Sequence, residues 1–225
     1  GAAGVLIPPS SYWPEVQRIC RKYGILIISD EVICGFGRTG KWFGFESFGY
    51  QPDIINMAKG LSSGYQPIGA VAFSEDLIKP FFDKGGEFYH GMTYDGHPVA
   101  AAVALKNIQI LQDEKLVDRV ADLAPHFNAM LKGLEDHPIV GETRSMGLIG
   151  AIELTSNKAT RARFAETGRV GTICRDHCFG AGLIMRACWD TMVLAPPFCI
   201  SRKEIDEIGR LARVALDKTY ADVKA

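Results

Sequence analysis

The chain has 225 residues, of which 47% are hydrophobic, 23% charged and 10% aromatic, the composition of an ordinary globular protein long enough for a substantial core. Its formal net charge is −1 and its Lys and Arg residues are scattered, which argues against nucleic acid as the main partner. No apolar run approaches the roughly 18 to 20 residues that a membrane-spanning helix needs, so we expect no membrane span.

The first half of the chain is predicted to contain both helices and strands. Apolar residues at helical spacing, followed by Gly24, predict a helix over residues 10–23. Ile25–Ser29 is a continuous apolar run, which predicts a strand covered on both faces. The later predicted elements are a loop over 35–50, strands over 53–57 and 68–73, a short helix over 77–82, a loop over 85–96, and a helix over 98–111 that Pro98 opens. This order is typical of half of an α/β sheet domain.

Composition shifts near Asp113, so we expect two domains, over residues 1–112 and 113–225. The second part is predicted to contain a helix over 115–134, strands over 139–144 and 148–154, a charged loop over 156–166, a helix over 170–179, short strands around Leu183 and Val193, and a helix over 203–223. It is typical of a small α+β domain. Gly1–Val5 has neither Met nor a basic segment, so we expect no signal peptide and expect these residues to lie inside a longer chain.

Six cysteines occur without a repeated spacing, which favours reduced thiols and a cytoplasmic compartment. Cys174 and Cys178 lie one helical turn apart with His177 beside them, a spacing that suits two ligands of one metal ion. A metal site needs three or four ligands, and no second Cys/His pair accompanies them. Buried free thiols are therefore the favoured interpretation, and no metal is expected.

The segment Gly35–Gly40 matches the pattern G-x-G-x-x-G and follows a predicted strand, as a dinucleotide-binding turn does. In such a turn the third glycine opens a helix whose N-terminus faces the pyrophosphate. Here the chain continues through Lys41–Phe45, which is aromatic and interrupted by glycine, and no helix of the needed length is predicted before Pro52. The sequence therefore disfavours a nicotinamide cofactor.

The most informative segment is Ile54–Gly64, in which Lys59 separates an apolar run from a Gly/Ser loop. A lysine at a strand end, partly shielded from water, is placed to act as an amine nucleophile. Upstream, another apolar run ends at Asp30, where an open α/β sheet places its ligand chemistry. An acid and a lysine at neighbouring strand ends are typical of a pyridoxal phosphate (PLP) site, where the lysine forms a Schiff base and the carboxylate keeps the pyridine nitrogen protonated. The alternative for Lys59 is a solvated surface charge.

Five runs carry a resemblance that extends, in chain order, over essentially the whole chain: Ile28–Gly40, Ala58–Gly64, Gly91–Pro98, Leu183–Ala187 and Leu194–Pro197. Taken together, they resemble the class III (omega) aminotransferases, PLP-dependent enzymes of fold type I. Within that family the run Pro8–Trp13, Pro-Pro-x-x-Tyr-Trp, is similar to the omega-amino acid or amine:pyruvate branch.

The resemblance implies that this chain matches the C-terminal half of a longer family chain. Residues 1–112 then form the second half of the large, mixed-sheet PLP-binding domain, and residues 113–225 form the C-terminal α+β small domain. The glycine-rich cup for the cofactor phosphate, the aromatic that stacks on the ring and the N-terminal segment are not in this sequence. We expect either a fragment or processed product, or a second chain that supplies the other half.

The resemblance also assigns roles in the cofactor site. It implies that Lys59 forms the internal aldimine with PLP and later moves a proton between the substrate and the cofactor. It implies that Asp30 pairs with the pyridinium nitrogen, the alternative being a strand-end carboxylate that caps a turn. Val32 lies two residues further on and is expected on the same face, pressing on the ring; a plain core valine is the alternative.

Two further residues match family positions outside this centre. Thr93 matches a threonine that reaches the PLP phosphate of the neighbouring subunit, which implies shared active sites and an obligatory dimer; the alternative is a loop threonine of no consequence. Arg186 matches the arginine that binds the substrate carboxylate through its planar fork and swings away for substrates that lack one. A structural salt bridge is the alternative for Arg186.

The favoured function is that of a cytoplasmic, homodimeric transaminase that moves an amino group from an amine or omega-amino acid donor to a keto acid, with pyruvate as the expected acceptor. A PLP-dependent decarboxylase or aminomutase of the same fold is one alternative. A non-catalytic fragment that only dimerises or interacts with another protein is another, because the phosphate cup is absent. The donor stays open among β-alanine, putrescine, other diamines and arylalkylamines.

Overall fold

The computed structural model describes residues 1–224, and the chain forms two compact units. The first unit is Pro8–Asp118, and the second joins Gly1–Ile7 to the residues from Arg119 onward. The predicted domain division at residues 112 and 113 concerns the longer family fold and stays a prediction.

The first unit is built on a three-stranded sheet. Its order is β1-β2-β3, in which β1 pairs parallel with β2 and β2 pairs antiparallel with β3. The strands are β1 (Ile28–Asp30), β2 (Ile54–Met57) and β3 (Ala70–Phe73), and the helices are α1 (Tyr12–Tyr23), α2 (Gly44–Phe48), α3 (Glu75–Asp83) and α4 (Pro98–Asp113). A turn of 3₁₀-helix, Lys59–Leu61, follows β2.

Local sequence signals set the helix ends in this unit as predicted. Helix α1 ends where Gly24 adopts the left-handed conformation, with φ 65°, and its N–H donates to the Cys20 carbonyl. Helix α4 begins at Pro98, whose missing N–H is not needed in the first turn. The short helix α2 lies inside the predicted loop over 35–50, and no pattern predicts it because five residues give no periodic signal.

The first strand differs from its prediction in position and in cover. Its ladder spans only Ile28–Asp30, and Ile25 and Ile28 are 51% and 57% exposed. Ile27 and Ser29 are buried, so one face packs inward and the other is open within the described residues. The expectation of a strand covered on both faces is therefore wrong for this chain as it stands, because nothing in residues 1–224 covers the outer face.

The second unit is an antiparallel sheet with helices. Its strand order is β4-β5-β7-β6, with every neighbouring pair antiparallel. The strands are β4 (Val140–Met146), β5 (Ile149–Leu154), β6 (Arg186–Cys188) and β7 (Thr191–Leu194). The helices are α5 (Leu116–Lys132), which lies in this unit from Arg119 onward, α6 (Arg169–Gly180) and α7 (Arg202–Lys224). The strand predicted around Leu183 is displaced: Leu183 precedes β6, and its side chain belongs to the core.

One apolar core joins the sheet and the helices of this unit. Its largest fully buried side chains include Phe127, Leu131, Leu148, Ile152, Met192, Ile205 and Leu216. Cys174 and Cys178 are part of this core, at 1% and 0% exposure, and the Cys178 thiol lies 3.6 Å from the Met185 sulfur. His177 instead bonds to Asp222 of α7 at 2.7 Å.

The mixed α/β architecture predicted from the sequence is confirmed. Within residues 1–224, no helix is both long enough and apolar enough to cross a membrane.

Candidate active site

The carboxyl ends of β1 and β2 carry the predicted acid and the predicted lysine. The two strands are parallel neighbours, and Asp30, the last residue of β1, is paired in register with Asn56 of β2. Lys59 follows the end of β2 by two residues. Both Asp30 and Lys59 are exposed. Because parallel strands end at the same sheet edge, Asp30 and Lys59 lie at the carboxyl ends of neighbouring strands, at the edge where open α/β sheets bind ligands.

A tight turn fixes the backbone at Lys59. Lys59 has φ 42°, in the left-handed region that side chains other than glycine rarely adopt. The Leu61 N–H donates to the Ala58 carbonyl at 3.0 Å, and the Ser62 N–H donates to the Lys59 carbonyl at 3.2 Å. The chain therefore turns sharply at Lys59, directly after the strand.

Glycine at position 60 lets the two strand-end loops approach each other. A Cβ atom there would lie 3.1 Å from the Gly35 carbonyl oxygen and 3.1 Å from the Phe36 Cβ. Both contacts are tighter than ordinary van der Waals packing. The loop after Lys59 thus rests directly on the loop after Asp30.

Asp30 makes a local contact that orients its carboxylate. The Val32 N–H donates to Asp30 Oδ1 at 3.1 Å, an Asx-type turn that leaves the other oxygen available. Because β1 ends at Asp30, Val32 lies outside the strand, and strand alternation does not fix its direction. Val32 is half-buried, and its contact with a cofactor ring stays a prediction.

The buried carboxylate of Glu31 anchors the loop beside Asp30. Glu31 is 2% exposed and accepts hydrogen bonds from the Ser29 hydroxyl at 3.0 Å and from the N–H groups of Gly44 and Phe45 at 2.7 and 2.9 Å. The Ser29 hydroxyl also lies 2.7 Å from the Tyr50 hydroxyl, and burial raises the pKa of that phenol. Glu31 therefore holds the chain after Asp30 in place.

The segment Gly35–Gly40 does not form a dinucleotide-binding turn. The next helix after Gly40 is α2, which begins at Gly44 and is five residues long. Arg38 lies inside this segment, and burial lowers the pKa of its guanidinium to about 10, which leaves it charged at neutral pH. Gly40 therefore does not open the long helix that a dinucleotide-binding turn requires after its third glycine.

Thr93 and Arg186 lie in exposed positions. Thr93 is in a loop that the Met92 N–H closes by donating to the Asp95 carboxylate at 2.7 Å. Arg186 is the first residue of the edge strand β6. Within residues 1–224 its guanidinium has no hydrogen-bond acceptor and no carboxylate partner. The roles of Thr93 and Arg186 stay predictions.

Sequence reasoning missed one residue beside the lysine turn. Asn107 of α4 is 9% exposed and hydrogen-bonds to the residues that follow Lys59. The buried face of α4 otherwise carries Ala100, Ala104 and Leu111, all apolar. One amide within an apolar stripe was the available signal, because a buried polar side chain needs a partner.

The chemistry of the strand-end groups fits PLP. An exposed amine suits the aldehyde of that cofactor, and an exposed carboxylate at the adjacent strand end suits its pyridinium nitrogen. Lys59 and Asp30 are the residues that would hold the group.

Comparison with known proteins places the chain in a family. The family model described as aminotransferase class-III matches residues 1–214. A putrescine–pyruvate aminotransferase of Pseudomonas aeruginosa is 54% identical over 226 residues, which cover 100% of this chain and 49% of that protein. A mitochondrial gamma aminobutyrate transaminase 1 of Solanum lycopersicum is 43% identical, over 100% of this chain and 44% of that protein.

Solved structures agree with these matches. The omega transaminase from Pseudomonas jessenii in complex with PMP superposes with a TM-score of 0.93 at 42% sequence identity, over 100% of this chain and 50% of that one. The chain thus spans about half the length of the relatives it matches. The match of residues 1–214 shows that this chain belongs to the class-III aminotransferase family.

Proposed function

We propose that this chain carries the lysine-bearing half of a PLP-dependent transaminase that moves an amino group from an amine or omega-amino acid to a keto acid. The observation that carries the proposal is the placement of Lys59 and Asp30 at adjacent carboxyl ends of two parallel strands. The named activities of the relatives, putrescine–pyruvate and gamma aminobutyrate transamination, support it.

Lys59 is the proposed catalytic residue. When bound, PLP withdraws electrons from the substrate carbon that loses its proton. The Lys59 amine would hold the cofactor and would move that proton between the substrate carbon and the cofactor, acting first as a base and then as an acid. The left-handed turn holds the Lys59 backbone just after the carboxyl end of β2.

Asp30 maintains the charge on the cofactor ring. Its carboxylate would accept a charge-assisted hydrogen bond from the pyridinium N–H and so keep that nitrogen protonated. The Val32 N–H bonds to one oxygen of the Asp30 carboxylate, and the buried Glu31 network holds the loop that follows. Val32 is proposed to pack against the ring, and Thr93 to bind the cofactor phosphate of a neighbouring subunit in a cytoplasmic homodimer.

Arg186 is proposed to bind the substrate carboxylate. Its guanidinium is exposed and lacks a partner among residues 1–224, so it is free to form two parallel hydrogen bonds with a carboxylate. Pyruvate is the proposed acceptor, and its amination leaves alanine. Putrescine is the proposed donor, on the strength of the relative from Pseudomonas aeruginosa.

An activity assay with a matched lysine control tests the proposal. The 225-residue chain, alone and together with the separately expressed first half of the Pseudomonas aeruginosa relative, is incubated with PLP, putrescine and pyruvate, and alanine is measured. We expect PLP-dependent alanine formation that Lys59→Ala abolishes and Lys79→Ala leaves intact, because Lys79 lies on α3 and pairs with Asp83. Release of carbon dioxide from an amino acid donor, without any need for a keto acid, would instead favour the decarboxylase.

A further inference from the structure

The turn after β2 places two non-glycine residues in an unfavourable backbone conformation. Lys59 has φ 42° and Ser63 has φ 50°. Left-handed conformations of this kind persist in folded proteins only where the surrounding structure enforces them. Contacts from outside the turn must therefore hold it.

Asn107 supplies those contacts from α4. Its side-chain nitrogen donates to the Gly60 carbonyl at 2.8 Å and to the Leu61 carbonyl at 3.1 Å, and its side-chain oxygen accepts from the Ser63 hydroxyl at 2.7 Å. Both N–H bonds of the carboxamide and its oxygen are thus used on one turn.

No other side chain shares this task in the part of the chain that the structure describes. Within residues 1–224, Asn107 is the only side chain from outside the loop that hydrogen-bonds to residues 59–63. The Ser62 hydroxyl bonds inside the loop, to the Gln66 carbonyl at 2.6 Å. Asn107 itself is only 9% exposed, so water is a poor substitute for these contacts.

We propose that Asn107 is a positioning residue for Lys59: its carboxamide clamps the turn over residues 59–63 and keeps the Lys59 backbone left-handed, with the amine at the sheet edge. The inference deepens the proposed function and rests on the role given there to Lys59. Asn107 is not proposed to contact the amine or the substrate; it acts only by holding the turn over residues 59–63 in place.

Hydrogen exchange measures the clamp without any cofactor. Asn107→Asp keeps the size of the side chain and its acceptor but removes the two N–H donors, and Asn107→Leu removes all three bonds. We expect exchange in residues 58–66 to rise about tenfold or more in both variants. Asn128→Leu, an exposed asparagine on α5, is the matched control and should leave it unchanged.

Two outcomes of the exchange experiment would overturn the proposal. One is unchanged exchange over residues 58–66 in both variants. The other is an increase that spreads equally over all segments, because that is a loss of global stability and not a release of the turn. If Asn107→Leu fails to fold, the exchange result for Asn107→Asp decides between these outcomes.

Trapping with PLP and borohydride then tests the effect on the amine. We expect the labelling rate of Lys59, relative to that of Lys79, to fall about tenfold in Asn107→Asp. Equal labelling of wild type and variant would overturn the positioning role while leaving the proposed function intact. Absence of labelling at Lys59 in the wild type would contradict the proposed function, and the exchange result would still decide what Asn107 does.

Discussion

Arg186 is the residue of the second unit that we propose to bind the substrate carboxylate. It lies on an exposed edge strand and has no partner among residues 1–224, although an exposed arginine commonly pairs with a nearby carboxylate. In the proposed role, its guanidinium would distinguish substrates with a carboxylate from those without one.

The first prediction follows from that role of Arg186. In the complete enzyme, Arg186→Ala should raise the KM for pyruvate by about ten- to a hundredfold, because a hydrogen bond to a charged group contributes about 1.5–3 kcal/mol. The KM for putrescine, which has no carboxylate, should stay within about twofold. Steady-state kinetics with each substrate varied in turn measure both values, and Arg186→Lys should be intermediate because it keeps the charge and loses the fork. An equal loss for both substrates would contradict the role.

A second prediction concerns Glu135 and the stability of the second unit at acid pH. Burial alone raises the pKa of this carboxyl, but hydrogen bonds from Lys132 and Thr143 outweigh it and lower the pKa to about 2. Between pH 4.5, the ordinary pKa, and about 2, the unfolded chain therefore binds more protons than the folded one. Stability falls as pH falls through that window.

Thermal unfolding at a series of pH values checks this sign. Glu135→Gln should flatten the decline in melting temperature below pH 4.5, since glutamine does not titrate, whereas Glu114→Gln should not, because Glu114 is exposed. Identical pH profiles for wild type and Glu135→Gln would refute the assignment.

At the residue scale, the sequence predicted the residues proposed to carry the chemistry better than it predicted the residues that hold the fold around them. Lys59 and Asp30 stand out because they end apolar runs, and the structure places them at neighbouring strand ends. Asn107 and Glu135 were not predicted, because their importance comes from contacts with residues 8 to 47 positions away along the chain. Such pairings depend on how helices and loops pack, which local patterns do not encode.

Helix α6 shows how one small residue sets the packing of an element. A Cβ atom on Gly171 would overlap the carbonyl oxygen of Trp189, which is backbone and has little room to move. The N–H groups of Gly168 and Gly171 donate to the Asp190 carboxylate at 2.8 and 2.9 Å, which caps the start of the helix. The helix therefore sits directly on the turn between β6 and β7.

The third prediction uses two glycines of this helix as a matched pair. Gly171→Ala should lower the free energy of unfolding by about 1–3 kcal/mol, the usual cost of overpacking. Gly180→Ala, at the other end of α6, has open space around the new Cβ and should be neutral or stabilising by up to about 1 kcal/mol. Chemical denaturation of both variants gives the comparison, and equal stability of the two would contradict the packing described here.

At the element scale, helices were predicted more closely than strands. Helix α4 is predicted over 98–111 and spans Pro98–Asp113, because periodicity and a proline define it. Strand β6 is displaced from Leu183 to Arg186–Cys188, because a short apolar run does not reveal which of its residues pair with a neighbour.

The whole chain leaves much apolar surface open to solvent, most of all in the first unit. Tyr89 is 90% exposed and Tyr94 is 82% exposed, and other large side chains of the same stretch are also open: Tyr65, Phe82, Phe88 and Met92. Exposed apolar surface of this extent marks interaction sites. We therefore expect the chain to associate, either with a second copy or with a separate first half.

The fourth prediction tests that association. Light scattering after size-exclusion chromatography should show a species larger than the monomer of 24.6 kDa. The double variant Phe82→Ser and Tyr89→Ser should shift the population towards the monomer. Val223→Ser on α7 is the control and should not, since the Val223 side chain is much less exposed, at 36%. A wild-type chain that stays monomeric at all concentrations would contradict the expected interface.

At the scale of the whole molecule, the resemblance to a family predicted the fold type and the family, whereas composition and periodicity predicted only the structural class. The runs around Asp30, Lys59 and Arg186 indicate the class-III aminotransferases by themselves, and the family match over residues 1–214 confirms that assignment. Composition and periodicity reach only a mixed α/β class, because many functions share that architecture.

The most direct test of the central claim is to identify the lysine that binds PLP. The chain is incubated with PLP, reduced with borohydride so that the cofactor stays covalently attached, and digested for peptide mass mapping. The account predicts a phosphopyridoxyl mass on the peptide that contains Lys59, at the carboxyl end of β2, and its loss in Lys59→Ala. An unmodified Lys59 in the presence of the complementing first half, or a label spread evenly over exposed lysines such as Lys79, would contradict it.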